Sequence, residues 1–411
     1  MSKLTLDGNE NYAAEIATVR DLIVLDGLDN LRALPVGAFQ ALVSKDTPLG
    51  EKVVVIPAGA QVSEKFAHDL NLHRHTDRNA DPSVETGYLE DNRRVRAIRL
   101  RGHRSDALVV SAAALGVDGP DGTLFTHIDG EELVRKYIVR APAPTRTEKA
   151  IKRAFKRVDD KFLPEHLDTA NWFRNQDLIG PDTWAVATQK VHGTSIRLSN
   201  TIVRRRLRWW ERLAKRLGVR VAETELDYVF GSRKVIKDPH NPNQNHYYAT
   251  DLWTEYGQTV EHLIPANVVI YGELVGWVDE ATPIQPNYTY ALPPGDKELY
   301  VYRVATVTQD GGLYDLPWEG VKAFCAARGF KHVPEIWQGY HRHFEPWQYM
   351  DTILRERFPQ AVPLSPESPC DEGVCVRAEG IVPTVLKAKS PQFLWNESLL
   401  LDKEVIDIES A

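Results

Sequence analysis

Short runs of alternating apolar and polar residues dominate the first part of the chain. "AAEIATVRDLIVL", "FQALVSK", "EKVVVIPAG", "RVRAIRLRG" and "DALVVSAAALG" are rich in β-branched residues and are separated by Gly, Pro, Asn and Asp turns. Five or so strands with one helix in roughly the first 140 residues predict a small closed β-barrel. The segment from Val139 to Lys149, "VRAPAPTRTEK", breaks the pattern with Pro and small residues. It predicts a boundary between a domain over 1–145 and one over 146–411. Beyond it the period changes along the chain. "DLWTEYGQTVEHLI", "PWEGVKAFCAARGF" and "PWQYMDTILRERF" carry helical spacing, each opened by Pro or Asp. "TWAVATQKV", "NVVIYGELVG", "ELYVYRVATV", "EGVCVRAEG" and "PTVLKAKS" read as strands. The second domain is therefore expected to be α+β with a twisted, largely antiparallel sheet.

Composition narrows the class without naming it. At 411 residues, with 43% hydrophobic and 26% charged residues, the chain has ample material for two cores. No apolar run approaches the ~18 residues of a membrane span, and the N-terminus is polar, which predicts a cytoplasmic protein with no membrane partner. No obligate protein partner is evident. Cys325, Cys370 and Cys375 form no C-x-x-C pair, which argues against a disulfide framework or a thiolate zinc site. The histidines of "NLHRHTDR" and "YHRHF" lack a third ligand at sensible spacing and read as solvated loops.

The net charge of −7 gives no global signature for nucleic acid, but two local stretches do. One runs from Arg146 to Phe162. The other, Arg204 to Arg220, sets eight basic residues against one acid, with Leu207, Trp210, Ala214 and Leu217 at helical spacing. The pattern predicts a helix whose Leu/Trp stripe docks on the domain while Arg204, Arg205, Arg206 and Arg208 follow a phosphate backbone. In the first domain Arg99 and Arg101, among six arginines from Arg93 to Arg104, form another candidate contact surface.

The strand ends of the second domain carry the candidate chemistry. In order they are Lys190-Val191-His192-Gly193, Gly231-Ser232-Arg233-Lys234, Tyr271-Gly272-Glu273-Leu274, Tyr300-Val301-Tyr302, Glu372-Gly373-Val374-Cys375-Val376-Arg377 and Lys387-Ala388-Lys389. Each alone is weak; Glu273 could cap a strand, and Glu372 could pair with Arg377. Together they hold what nucleotidyl transfer to a lysine needs. A lysine amine must lose its proton to attack, which nearby positive charge from Lys387 and Lys389 promotes. A nucleoside triphosphate needs Mg²⁺ or Mn²⁺, so carboxylates must be at hand, and Glu273 and Glu372 are the candidates. Tyr300 and Tyr302, two apart on a strand, are expected on one face as a platform for a purine. Arg233, with forked donors, suits a ribose or phosphate.

This ordered set resembles motifs I, Ia, III, IIIa, IV and V of the covalent nucleotidyltransferase superfamily, over roughly Asp182 to Ser390. The K-x-H-G-T-S that starts at Lys190 is similar to motif I of RNA ligases of the RNA ligase 2 type. DNA ligases and capping guanylyltransferases carry aspartate at the place of His192. Only about 20 residues follow Lys389, too few for the C-terminal OB-fold of those enzymes. "RVRAIRLRGHRSDALVV" is similar to a signature of the N-terminal OB-fold in the RNA ligase 5 group. The resemblance implies a nucleotidyltransferase (ATP-grasp-like ligase) domain behind an OB-fold, and an ATP-dependent RNA ligase joining 3′-OH and 5′-phosphate ends at nicks in a duplex. It implies Lys190 as AMP acceptor, Glu372 at the metal with Glu273 in support, and Tyr302 on adenine with Tyr300 as fallback. Thr188 and Gln189 would read the adenine edge, with His192 and Gly193 beside the nucleotide and Lys387 and Lys389 on the phosphates. A capping-type guanylyltransferase, a DNA ligase and an inactive nucleic-acid-binding protein are the alternatives. Two departures stand out. His192 cannot supply an aspartate's charge, and Arg303 follows Tyr302 where the family usually has an acid.

Overall fold

The computed structural model describes residues 2–37, 39–138, 157–237 and 250–402. The Pro-rich segment from Val139, and most of the basic stretch that begins at Arg146, lie outside them. The described residues form two compact units. One is built from 2–138 with Ala170–Asp177 and 386–402, the other from 157–169 and Leu178–Val385.

In the first unit β1 (Ala14–Thr18), β4 (Lys52–Pro57), β5 (Ala107–Ser111) and β6 (Leu124–Phe125) make an antiparallel sheet in the order β5-β4-β1-β6. The unbroken apolar run of β4 follows from burial on both faces. Val54 and Ile56 join one core cluster with Ile16, Leu108 and Phe125, while Val53 and Val55 join another with Leu34 and Ala41. β2 (Leu31–Val36) and β3 (Phe39–Ser44) form a hairpin. The reading from sequence omits β2, because Pro35 interrupts its pattern; Pro35 falls at the exposed position of the strand. α1 (Glu64–Asp69) is capped by the Ser63 hydroxyl.

The second unit holds two sheets. β8 (Thr194–Arg204), β9 (Thr224–Gly231), β10 (Val268–Gly276) and β11 (Lys297–Val307) form an antiparallel sheet in the order β9-β8-β10-β11. β7 (Trp184–Gln189) lies between β12 (Glu335–Tyr340) and β13 (Gly373–Ala378), antiparallel to both. The α+β, mainly antiparallel expectation describes this unit. β14 (Thr384–Lys389) begins here and ends in the first unit, where Asn171 pairs with Lys387. All nine residues of β10 are buried, so Glu273 at its centre needs polar partners.

α2 (Trp209–Arg216) links β8 to β9. α3 (Leu252–Val260) starts at Asp251, whose carboxylate accepts from Thr254 N, and α4 (Trp318–Arg328) ends at Gly329 with φ +77°. The expected helix over "PWQYMDTILRERF" is absent; the segment makes only 3₁₀ turns, Pro346–Tyr349 and Leu354–Glu356. Its backbone is diverted locally. Asp351 takes φ +52°, and Leu354 N donates to Asp371 Oδ2 at 2.6 Å instead of continuing a helix. α5 (Pro391–Asp402) is an element the sequence reading did not place. No helix among the described residues is long and apolar enough to cross a membrane.

Candidate active site

β7 ends at Gln189 and β8 begins at Thr194, so Lys190 to Gly193 form the link between the two sheets of the second unit. Lys190 N donates to Gly373 O at 3.0 Å, tying the link to the start of β13. On the other side the link runs close to β10. A Cβ on Gly193 would stand 2.3 Å from Leu274 O and 2.8 Å from Val275 Cγ1, so only glycine fits.

The carboxylates hold this link from both sheets. Glu372, fully buried beside β13, has Oε1 2.7 Å from Lys190 Nζ, and its Oε2 is 3.7 Å from His192 Nδ1. It pairs with the lysine and not with Arg377, which instead holds Glu379 at 2.9 Å and Leu316 O at 2.8 Å. Glu273 is no surface cap. It is buried, accepting from Gly193 N at 3.1 Å and from Ser195 Oγ at 3.2 Å. Two buried carboxylates thus bracket one lysine, each answered by donors from the same short link.

A cavity opens beside Lys190, lined among others by Thr188, Gln189, Arg233, Glu273, Tyr302 and Arg303. Trp318, Val333 and Val385 contribute apolar surface to it. Arg233 NH2 stands 3.5 Å from Asp168 Oδ1, and Tyr302 Oη is 2.6 Å from His166 Nδ1. The cavity therefore combines an amine, an acid, a guanidinium and aromatic surface, the types that bind and activate a nucleotide.

Several expected residues are placed differently. Opposite Gly272 and Tyr271 stand Val301 and Arg303, so Tyr302 is an extra residue in the β11 ladder. This bulge breaks the period of two, and the tyrosines line different cavities: Tyr302 beside Lys190, Tyr300 with Lys322, Phe330 and His332. Arg303 after Tyr302 is also explained. It pairs through two nitrogens with Asp315, one contact at 2.9 Å, and lies 4.5 Å over the Tyr271 ring, a structural arginine in the acid's place. Gln189 uses its amide internally. It donates to Asp371 Oδ1 at 2.6 Å and to Val362 O at 3.2 Å, and accepts from Val362 N at 2.7 Å. Lys387 and Lys389 belong to the first unit, where Lys389 Nζ is 3.9 Å from Glu397 Oε1 and 5.1 Å over the Phe393 ring. In that unit Arg99 meets Gln392 and lies 4.9 Å over Trp395, and Arg101 donates to Gly27 O at 2.6 Å, so both make internal contacts.

Four residues that sequence reading passed over support the link. Gln285 Nε2 donates to Gly193 O at 2.8 Å, and the Tyr290 hydroxyl accepts from His192 N at 2.6 Å. Burial holds the Tyr290 phenol well above its ordinary range, so it stays neutral in that role. The Tyr288 ring meets the His192 ring edge-on at 5.0 Å. Asp371 receives Gln189 and Leu354 N; burial pushes its carboxyl up to about 6, against the pull of those two donors. The only signal for Gln285, Tyr288 and Tyr290 is an aromatic-rich, polar loop between two strands, which has no spacing rule. Among the described residues no three His, Cys, Asp or Glu side chains cluster to hold a metal.

A model of the RNA ligase family matches residues 184–389, half of the chain. No curated protein matches the sequence. Solved structures that resemble the fold include Naegleria gruberi RNA ligase mutants with AMP and Mn and with ATP and Mn, both at 14% identity and TM-score 0.58. They cover 93% and 97% of this chain and 98% and 99% of theirs. The same ligase with pyrophosphate matches at 14% identity and TM-score 0.58, over 94% of this chain and 98% of its own. The matched span takes in Lys190, both buried glutamates and the cavity lining from Thr188 to Val385: the chain belongs to the RNA ligase family.

Proposed function

We propose that this RNA ligase is ATP-dependent and seals 3′-OH and 5′-phosphate ends at nicks in a duplex. The observation that carries the reading is Lys190 at the cavity wall, 2.7 Å from the buried Glu372 and in the same lining as Glu273, Arg233 and Tyr302. The Naegleria ligase, similar in fold, has been solved with ATP and pyrophosphate, the substrate and leaving group of the first step, and with AMP, the leaving group of the last.

Lys190 Nζ, deprotonated, attacks the α-phosphorus of ATP. The bond to the pyrophosphate oxygen breaks, and an N–P bond forms as lysyl-AMP. Lys190 Nζ stands 2.7 Å from Glu372 Oε1, so that pair opens ahead of attack, and the amine's proton passes to the carboxylate or to solvent. A 5′-phosphate oxygen of the nucleic acid then displaces the lysine from AMP. Finally the 3′-OH attacks the adenylylated 5′-phosphate and AMP departs. Tyr302 stacks on adenine, with Thr188 at its edge, and Arg233 takes the ribose or 5′-phosphate. The Gln189 amide already binds Val362 and Asp371, and its main-chain N–H donates to Pro334 O at 2.9 Å, so its share of nucleotide contact falls to its main-chain carbonyl.

Glu372 and Glu273 suit Mg²⁺ or Mn²⁺, a hard cation that takes one or two carboxylates together with substrate phosphates, and two buried carboxylates are the donors present. Such an ion supplies charge neutralisation at the phosphates. His192 lends no negative charge there. It packs against Tyr288, and its main-chain N–H fixes the link.

The test is transfer. Protein labelled from α-³²P-ATP is freed of nucleotide and given nicked duplexes with RNA or DNA on each side. The label should pass to a 5′-phosphorylated strand and then be released as AMP on sealing. A preparation that labels from GTP and passes the label to a diphosphate-ended RNA would identify a capping enzyme instead.

A further inference from the structure

The hairpin β8–α2–β9 carries a helix whose sequence predicts a docked apolar stripe, yet α2 buries none of its residues. Trp209 is 71%, Leu213 51% and Leu217 75% exposed. At 100° per residue, Trp209, Trp210, Leu213, Ala214 and Leu217 fall on one arc of about 140°, with Glu211, Arg212, Lys215 and Arg216 on the other side. Local contacts hold the helix. Glu211 Oε2 accepts from Arg208 N at 2.7 Å, and Gly218 with φ +84° ends it. The apolar arc is thus displayed on a stable scaffold.

Charge surrounds that arc. Residues 204–226 hold eight bases against three acids, a net charge of +5 on a chain of −7. Arg205 and Lys215 are answered by Glu211 and Glu223. Arg212, Arg216 and Arg220 have no acidic partner among the described residues, and Arg208 lies 4.9 Å over the Trp210 ring.

We infer that this hairpin is an RNA-binding arm that grips the duplex beside the break, about one helical turn from Lys190. The inference rests on the ligase reading above. β8 starts four residues after Lys190 and runs for 11 residues, which at ~3.3 Å each carries the chain roughly 35 Å from the link, on the order of ten base pairs. Seven of the eight bases are arginine, whose fork binds phosphate oxygens in pairs and stacks on bases. The exposed Trp209 ring, edge-on to Trp210 at 6.0 Å, offers a stacking surface, and the wide, shallow minor groove of A-form RNA admits a helix with an apolar face between cations. A second copy of the arm is excluded as occupant by the repulsion of two +5 surfaces. The competing occupant is an anionic membrane, for which an eight-residue helix offers little buried surface.

The experiment uses the full chain, its R212E/R216E/R220E variant and its Trp209→Ala variant, both changed at exposed positions. Binding is measured by anisotropy on nicked RNA duplexes with 16-pair flanks and with 5-pair flanks, as substrates of roughly one and a half and half a turn. The triple variant should bind the long duplex at least tenfold more weakly, and its log–log salt slope should fall by about 2.7, for three lost phosphate contacts. Trp209→Ala should lose about tenfold on the long duplex. Short-duplex binding and labelling of Lys190 by ATP should not change in either. Equal affinity and salt slope of wild type and triple variant on the long duplex overturn the proposal. So does flotation of the wild type, and not the variants, with phosphatidylserine-containing vesicles when duplex binding is unchanged. Failure of the wild type to label from ATP sinks the ligase reading instead, and is scored separately from the binding data.

Discussion

Replacing Gly193 by alanine tests how the link holds Lys190. The new Cβ would meet Leu274 O at 2.3 Å and Val275 Cγ1 at 2.8 Å, where real Cβ atoms essentially never come within 3.0 Å. Both neighbours belong to β10, an internal strand of its sheet buried along its whole length, so neither rotates away. The link or the strand must shift by roughly 0.7 Å or more, a distance that a close-packed interior cannot absorb. Overpacking of this kind costs about 1–3 kcal/mol, which for a unit of this size lowers Tm by roughly 3–10 °C. The kinetic effect should be larger than the stability effect. Gly193 donates to Glu273, accepts from Gln285 and stands three residues from Lys190, so the shift is passed to the nucleophile. A misplacement near 1 Å costs on the order of 10²-fold in rate. The assay is the single-turnover rate of lysine labelling by α-³²P-ATP, below the Tm of the variant, beside differential scanning fluorimetry. Gly320→Ala on α4, where the added Cβ comes no closer than 3.4 Å to Leu316, is the control and should leave the labelling rate unchanged. Wild-type labelling by Gly193→Ala, with an unaltered Tm, would refute the claim that β10 positions the link.

Other outcomes follow from particular contacts. Arg303→Met should destabilise the chain by about 3–5 kcal/mol in urea denaturation, because it strands the buried Asp315; Arg303→Met with Asp315→Leu should recover most of that loss. Glu273→Ala removes the acceptor of Gly193 N and Ser195 Oγ and should cost about 1–3 kcal/mol, alongside slower labelling. Iodoacetamide at pH 8 should modify native Cys375, which lines the cavity, and ATP should slow it. Cys325 should stay unmodified, since burial pushes its thiol up to about 12 and almost no thiolate forms. Removing divalent metal with EDTA should abolish labelling without changing Tm, because among the described residues no cluster has the ligands of a structural metal site.

What could be read from the chain alone depended on the range of the forces involved. The strands around Lys190, Glu273 and Glu372 are long and strongly patterned, and the structure brings these three residues to the one link between β7 and β8. Glu372 is the instructive case, because sequence offered it a pair with Arg377 or a place at a metal, and the packing of β13 against the link set it beside Lys190. Tyr300 and Tyr302 were assigned one face by counting, and one bulged residue in β11 sent them to separate cavities. The failed helix near Leu354 has a similar origin: a side chain 17 residues away, Asp371, takes a backbone donor that helical periodicity assigns to the next turn. The exposed stripe of α2 is the reverse case. Its pattern was read correctly as amphipathic, but a pattern does not say whether the apolar face is covered by the fold or left for a ligand.

The central claim is that Lys190 accepts AMP. Incubating the protein with ATP and Mg²⁺ or Mn²⁺, digesting it and mapping the adduct by mass spectrometry tests this most directly. The account predicts one AMP moiety on the peptide containing Lys190, absent from Lys190→Ala and released by added pyrophosphate. An unmodified Lys190 peptide, or an equal adduct on another lysine in Lys190→Ala, would contradict it.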